Sequence, residues 1–277
     1  MSEANNCVFV SVVVTTYNRE KYLKETLEAI LKQTYQNFEL IVVDNYSNYD
    51  FNAFIDSFNS KKIRAFQNHN NGIIAVNRNF GISKAKGDYI AFCDDDDIWD
   101  VNKLEKQVQF VHQKGIELLS TQLIIFGEGV EKEYARVCTY KNKHEVFFEN
   151  YFTPSTLLVK KSKLVHFNES KDFNCAEDWT MCLELIINGY KYYQMRDPLV
   201  RYRVFASNMT KKNAVNVQLQ HVKILKYLKT KYGGRFQNRY YFVGLTYQYA
   251  KNISKLILKP LLPLYRYIRR NIFKKAL

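Results

Sequence analysis

Tyr89-Ile90-Ala91-Phe92-Cys93, followed directly by Asp94-Asp95-Asp96-Asp97, is the stretch on which the fold turns. The short apolar run reads as a buried strand, which places the aspartates at its C-terminal end. Like charges side by side repel, so folding alone gives little reason to gather them there. In open α/β sheets, ligands bind outside the C-terminal edge of the strands. Adjacent carboxylates at that edge suit a hard divalent cation, which prefers oxygen ligands and bridges to phosphate oxygens. A solvated acidic turn is the other reading of the same residues.

Strand and helix alternate outward from this stretch. Residues 8–17 (VFVSVVVTTY) are β-branched and mostly apolar, as in a buried parallel strand. Residues 19–33 place Tyr22, Leu23, Leu27, Ile30 and Leu31 on one helical stripe. A second buried strand spans 38–44, a short helix lies near 50–59, a strand near 63–67 and a helix over 73–85. Past Trp99, residues 102–114 read as a helix, 116–126 and 154–160 as strands, 177–188 as a helix and 199–204 as a strand. This order predicts an α/β fold with a doubly wound, mostly parallel sheet flanked by helices.

Composition narrows the function. No apolar run approaches the ~20 residues of a membrane span, and Met1 to Asn6 lack a signal-peptide pattern. The five cysteines are scattered without paired metal spacing, which fits free thiols in a reducing cytoplasm. The five histidines show no ligand spacing either. The first strand is followed by no GxGxxG, and no GxxxxGK[ST] occurs, which argues against dinucleotide and P-loop enzymes.

If the strands are parallel, three strand ends share one edge: Thr15-Thr16-Tyr17-Asn18-Arg19, Val43-Asp44-Asn45 and the aspartate run. Tyr17 can stack on a flat base, and Asp44 can accept a hydrogen bond from a ring N–H. Asp95 and Asp96 can hold a ribose hydroxyl and a metal on a diphosphate. Together these groups describe a nucleotide-diphosphate site. Each has a plainer reading: Tyr17 as a core aromatic, Asp44 as a turn cap, Arg78 as a surface ion pair, and Glu177 and Asp178 as favourable charges at a helix N-terminus.

The succession VSVVVTTYNR, FELIVVDN (38–45), NNGIIAVNRNFGISKAKGDYIAFCDDDDIW (70–99) and AEDW (176–179) resembles the family 2 inverting glycosyltransferases of GT-A fold, over roughly residues 8–205. The resemblance implies that Thr15, Tyr17 and Asp44 contact the base of a nucleotide sugar, usually uridine, and that Arg78 helps bind the nucleotide. It sets an Asp-x-Asp motif on Asp94 to Asp96, with Asp96 as the ligand of Mn²⁺ or Mg²⁺ and Asp95 as the ribose contact. It places the catalytic pair on Glu177 and Asp178, with Asp178 as the base. Asp97 is expected to support the turn. The implied catalytic domain is 1–208, with a nucleotide-sugar half over about 1–100 and an acceptor half over about 101–208. Two positions depart from the family pattern. Asn45 stands where a second aspartate is common, and Phe205 stands where a histidine is common, so that any role of that histidine is missing or moved, with Ser207 and Thr210 as the candidates.

Net charge is +14, but it is uneven. From Lys211 onward there are 16 Lys/Arg and no acid, while the preceding residues hold 25 Lys/Arg against 27 Asp/Glu. Residues 209–277 thus read as a basic helical extension with a break at Gly233-Gly234. In 251–277 eight Lys/Arg alternate with Leu, Ile, Tyr and Phe, a pattern drawn to anionic lipid, with Pro260 and Pro263 breaking the helix. A basic helix packed on protein is the other reading, and no nucleic-acid partner is expected.

The resemblance therefore implies a metal-dependent hexosyl- or N-acetylhexosaminyl-transferase. It would act on a nucleotide sugar and a glycan acceptor, lipid-linked in one version, in bacterial capsule or lipopolysaccharide synthesis. Its place would be the cytoplasmic face of the membrane. The alternative is a non-catalytic nucleotide-sugar or membrane-binding module of the same fold.

Overall fold

The computed structural model describes residues 8–130, 134–136, 145–148, 150–162, 164–205, 214–236 and 238–257. Contiguous apolar runs make its central strands. β1 (Val10–Thr16) and β2 (Phe38–Asp44) are buried at every residue. β1 pairs in parallel with β2 on one side and with β4 (Tyr89–Asp94) on the other, and β3 (Ile63–Gln67) extends the sheet beyond β2. The register sets Thr16 opposite Asp44 and Thr15 opposite Asp94, so the three strands end level with one another.

Alternate side chains feed two cores, one on each face of the sheet. Val10, Val12, Val14, Leu40 and Val42 face α1 (Glu20–Leu31), α2 (Phe51–Asp56) and α4 (Lys103–Lys114). Val13, Ile41, Val43, Ile90 and Phe92 face α3 (Ile74–Lys84) and α5 (Glu177–Ile187). Gly81 lets α3 lie close on β1, since a Cβ there would meet Val13 Cγ1 at 2.4 Å.

The second half of the sheet is mixed. β8 (Leu158–Lys160) runs antiparallel to β4 and to β6 (Leu118–Gly127). β9 (Tyr192–Val204) runs parallel to β6, whereas β5 (Ile98–Trp99) opposes β9 and β7 (Tyr134–Arg136) opposes β6. The order is β3-β2-β1-β4-β8-β6-β9-β5, with β7 on the flank of β6, and most strands share one direction, as expected.

Three details differ from the sequence expectation. Of residues 154–160 only the last three are strand, because Pro154 opens a 3-10 turn closed by the bond from Leu157 N to Pro154 O. β9 starts seven residues before Leu199, its earlier part hidden by polar residues and Pro198. The short strands β5 and β7 carry too little apolar pattern to be read from sequence.

α6 (Ala214–Tyr232) is part of the fold. Ile224, Leu225 and Leu228 are fully buried in the same core as Trp179. Lys231 Nζ lies 3.0 Å from Glu184 on α5. A turn at Gly233–Arg235 leads to α7 (Asn238–Ile257). Cys93, Cys175 and Cys182 are free thiols. Cys7, Cys138, Ser207, Thr210 and residues 258–277 with both tail prolines lie outside the described residues. Leu228→Ala is expected to lower the unfolding free energy by about 2–5 kcal/mol in urea titration. A loss below about 0.5 kcal/mol would show that α6 does not complete the core.

Candidate active site

The level strand ends open onto a cleft of about 490 Å³. Thr15, Thr16, Tyr17, Arg19, Asn45 and Asn70 line one part of it, and Asp94, Asp95, Asp96, Tyr202 and Arg203 line another. Tyr17 is 54% exposed, so its ring is available to a ligand. Asn18 (φ 53°) and Tyr46 (φ 57°) follow β1 and β2 in left-handed geometry. That region suits asparagine but strains tyrosine, and such strain gathers at functional sites.

The four aspartates divide by environment. Asp94 pairs through Oδ1 with Arg78 Nη2 at 2.7 Å. Asp95 accepts from Thr16 Oγ1 at 2.7 Å and from Arg19 Nη1 at 3.2 Å. Burial, with Asp96 adding repulsion against the help of Arg19, pushes the Asp95 carboxyl up to about 7. Asp96 pairs with Arg19 and is also shifted upward, by burial and then by Asp94. Asp97 is fully buried and does not line the cleft. Asp97 accepts from Ser155 Oγ at 2.5 Å and from the Arg203 backbone N–H at 3.0 Å. Its carbonyl accepts from Thr26 Oγ1 at 2.9 Å. Asp97 thus anchors the turn that presents the other three. Ser155, aimed by the Pro154 turn, also receives the Asp94 backbone N–H at 3.0 Å.

Asp44 is fully buried and does not line the cleft. It accepts from Ser47 N–H and Gln67 Nε2, each at 3.0 Å, and from Ser47 Oγ at 2.5 Å. In this arrangement it shapes the turn after β2, while its neighbour Asn45 reaches the cleft. Asn45 Oδ1 accepts the Asn70 backbone N–H at 2.8 Å, tying two cleft loops together.

Arg78 is also buried, and both arms of its guanidinium are engaged. Nη2 holds Asp94, and Nη1 holds Glu177 Oε1 at 2.6 Å. Burial opposes its charge, but the two carboxylates outweigh that and raise its pKa. Glu177 Oε2 is buried with no hydrogen-bond partner among the described residues. The adjacent Asp178 accepts from Trp179 N–H at 2.7 Å and from Asn150 Nδ2 at 3.2 Å. Burial, then the Glu177 charge, against the pull of Arg78, pushes the Asp178 carboxyl up to about 7. Asp178 does not line the cleft itself; it joins it through Glu177, Arg78 and Asp94.

Asn45, Asn150, Ser155, Arg19 and Arg203 were not assigned roles from sequence. Arg19 stands inside a stretch that carried the resemblance, and Arg203 stands two residues before Phe205; their charge beside polar strand ends was the available signal. Ser155 and Asn150 carried none.

Residues 11–167, more than half of the chain, match the family described as Glycosyl transferase family 2. An uncharacterized glycosyltransferase of Methanocaldococcus jannaschii is 31% identical over 70% of this chain and 70% of its own length. The Escherichia coli UDP-Glc:alpha-D-GlcNAc-diphosphoundecaprenol beta-1,3-glucosyltransferase WfaP is 26% identical over 73% of this chain and 79% of its own. Across curated relatives the matched share of the relative ranges from 15% to 96%. Among solved structures, Staphylococcus aureus TarS 1–349 in complex with UDP-GlcNAc superposes with TM-score 0.64 at 20% identity, over 91% of this chain and 78% of TarS 1–349. The mannosyltransferase PcManGT of Pyrobaculum calidifontis, in complex with GDP-Man and Mn²⁺, gives TM-score 0.64 at 15% identity, over 97% and 83%. The chain belongs to glycosyl transferase family 2 and has the GT-A fold.

Arg78→Met removes the cation that Glu177 Oε1 and Asp94 Oδ1 share and leaves two carboxylates close together. It is expected to destabilise the protein by about 3–5 kcal/mol in denaturant titration. A loss under about 1 kcal/mol would mean that the pairs are solvated and not structural.

Proposed function

We propose that the chain is a metal-dependent, inverting hexosyl- or N-acetylhexosaminyl-transferase. It would move a sugar from a UDP-sugar to a hydroxyl of a growing bacterial glycan, such as a capsule or lipopolysaccharide repeat. The observation that carries this reading is the chain of contacts from the cleft carboxylates Asp95 and Asp96, through Asp94 and Arg78, to the Glu177-Asp178 pair. TarS and WfaP are named with UDP-sugars, which supports uridine as the base. Tyr17 and Thr15 take the base, and Asp44 contacts it once Ser47 yields. Asp95 takes the ribose, and Arg78 serves the nucleotide by fixing Asp94.

The residues fit a divalent ion. Among the described residues no group of three metal-type side chains is assembled. Hard cations with phosphate ligands commonly use only one or two carboxylates from the protein. Asp96 is the carboxylate for Mn²⁺ or Mg²⁺, and its pairing with Arg19, a cation at the cleft, supports that reading. PcManGT is named with Mn²⁺. When bound, the ion supplies Lewis-acid stabilisation to the leaving diphosphate.

Asp178 is the base. The acceptor hydroxyl attacks the anomeric carbon, its proton passes to Asp178, and the sugar–phosphate bond breaks with its electron pair on the diphosphate. One displacement inverts the anomeric centre without a covalent sugar–enzyme intermediate, so a single carboxylate suffices. With a carboxyl near 7 the base is charged only above that pH, so kcat/KM should rise through about pH 7. Asp178→Asn should cut turnover by about 10²–10⁴-fold and leave UDP affinity unchanged. Full turnover in that variant would remove the base assignment. Donor binding without turnover in the wild type would favour the non-catalytic module.

The acceptor is proposed to be lipid-linked, as the name of WfaP states for that enzyme. No helix among the described residues is long and apolar enough to cross a membrane. Instead α7 exposes Phe242 (61%), Val243, Tyr247 and Tyr249, and Phe242, Val243 and Tyr247 edge a shallow groove. Apolar and aromatic residues on a helix that leads into a basic segment suit the headgroup layer of an anionic membrane. The proposed site of action is the cytoplasmic face; within the basic region 209–277, α6 is packed in the core, so α7 and the basic sequence after it are the membrane-directed part. The full chain should co-sediment with phosphatidylglycerol vesicles and not with phosphatidylcholine, and Phe242→Ser with Tyr247→Ser should reduce the bound fraction. Equal binding to both lipids would contradict the anionic-surface reading.

A further inference from the structure

Arg19 differs in kind from the other cations of the cleft. Its Nη1 lies 3.2 Å from Asp95 Oδ1 and also pairs with Asp96. Those two carboxylates are nearly buried, whereas the Arg19 side chain is 42% exposed. The guanidinium is therefore the member of the trio with room to move. It lies over the Phe205 ring, 5.4 Å from the centroid, and Tyr22 steadies that ring edge-on at 5.0 Å. Arg203, on the other side of Asp96, is anchored. Its Nε donates to the Asp96 carbonyl at 2.9 Å, its Nη2 pairs with Glu25, and its backbone N–H donates to Asp97.

A nucleotide-sugar site must receive two charged groups, a divalent cation on Asp96 and an anionic diphosphate. The cation and Arg19 compete for the same carboxylate oxygens. The diphosphate offers Arg19 new ones in the same cleft, and a guanidinium forks well onto phosphate. An aromatic face supports such a cation without fixing it to one acceptor.

We propose that Arg19 is an exchangeable counter-cation: it neutralises Asp95 and Asp96 before the donor binds, cedes Asp96 to the divalent ion, and turns on its Phe205 platform to hold the donor diphosphate. This rests on the nucleotide-sugar reading above and adds a residue-level device to it. It also gives a physical sense to phenylalanine at 205. The flat neutral ring carries a mobile arginine at the cleft edge.

The proposal predicts effects of opposite sign from one substitution. In Arg19→Ala, Mn²⁺ alone meets no competitor and should bind about tenfold more tightly, as expected when a charge-assisted pair no longer has to break. UDP measured at saturating Mn²⁺ loses one charge-assisted contact and should bind about tenfold more weakly. Arg19→Lys keeps the charge without the fork and should fall between. Phe205→Ala should weaken UDP less than Arg19→Ala does and leave Mn²⁺ alone unchanged. Free Mn²⁺ is read by electron paramagnetic resonance and UDP by calorimetry. Weaker binding of Mn²⁺ alone to Arg19→Ala, or wild-type values for both ligands, overturns the proposal. With wild-type UDP binding intact, that result leaves the glycosyltransferase reading standing. A wild type that binds no UDP overturns both.

Discussion

Arg78 is held between Asp94, at the end of β4, and Glu177, at the start of α5, and the geometry of the site follows from that bridge. Two elements about eighty residues apart in sequence are joined by one buried guanidinium with a carboxylate on each arm. The Arg78 charge would be costly alone in the interior, and the two carboxylates offset that cost. The same bridge links the aspartates facing the cleft to the pair that carries the proposed base. Asp178 takes its raised pKa from burial and from Glu177, whose position Arg78 sets.

The backbone supplies the frame for this bridge. β1 pairs with β2 and β4 in a register that ends all three strands together, so polar residues following apolar runs collect at one edge. Asp97 and Ser155 then lock the acidic turn from behind. One of four adjacent aspartates is spent as an internal anchor, which leaves Asp94, Asp95 and Asp96 facing the cleft. Repulsion among them is met by Arg19 and Arg78, one exposed and one buried.

The sheet was legible where apolar residues run together. β2 and β3 begin and end where their sequence predicts, because each is a short apolar run bounded by polar turns. β9 was legible only from Leu199 to Val204, since Pro198 and alternating charges interrupt the pattern in a strand that is partly exposed. The site was legible as residue types in order: Tyr17, the aspartates, and Glu177-Asp178. Their partners were not. Nothing local shows that Asp44 would be occupied by Ser47 and Gln67, that Arg78 would be shared by Asp94 and Glu177, or that Arg19 would rest on Phe205. Those contacts depend on how the strand ends meet, and periodicity does not encode that. The basic region was legible as charge, but not that α6 would bury Ile224, Leu225 and Leu228 in the main core.

The strand-edge carboxylates are proposed to form a nucleotide-diphosphate site that works with a divalent ion. Calorimetric titration of the wild type and of Asp96→Asn with UDP, in Mn²⁺ and again in EDTA, tests it most directly. UDP is expected to bind the wild type in Mn²⁺, and binding is expected to fall sharply both in EDTA and in Asp96→Asn. UDP affinity that is the same in EDTA and in Asp96→Asn as in the wild type with Mn²⁺ would contradict it.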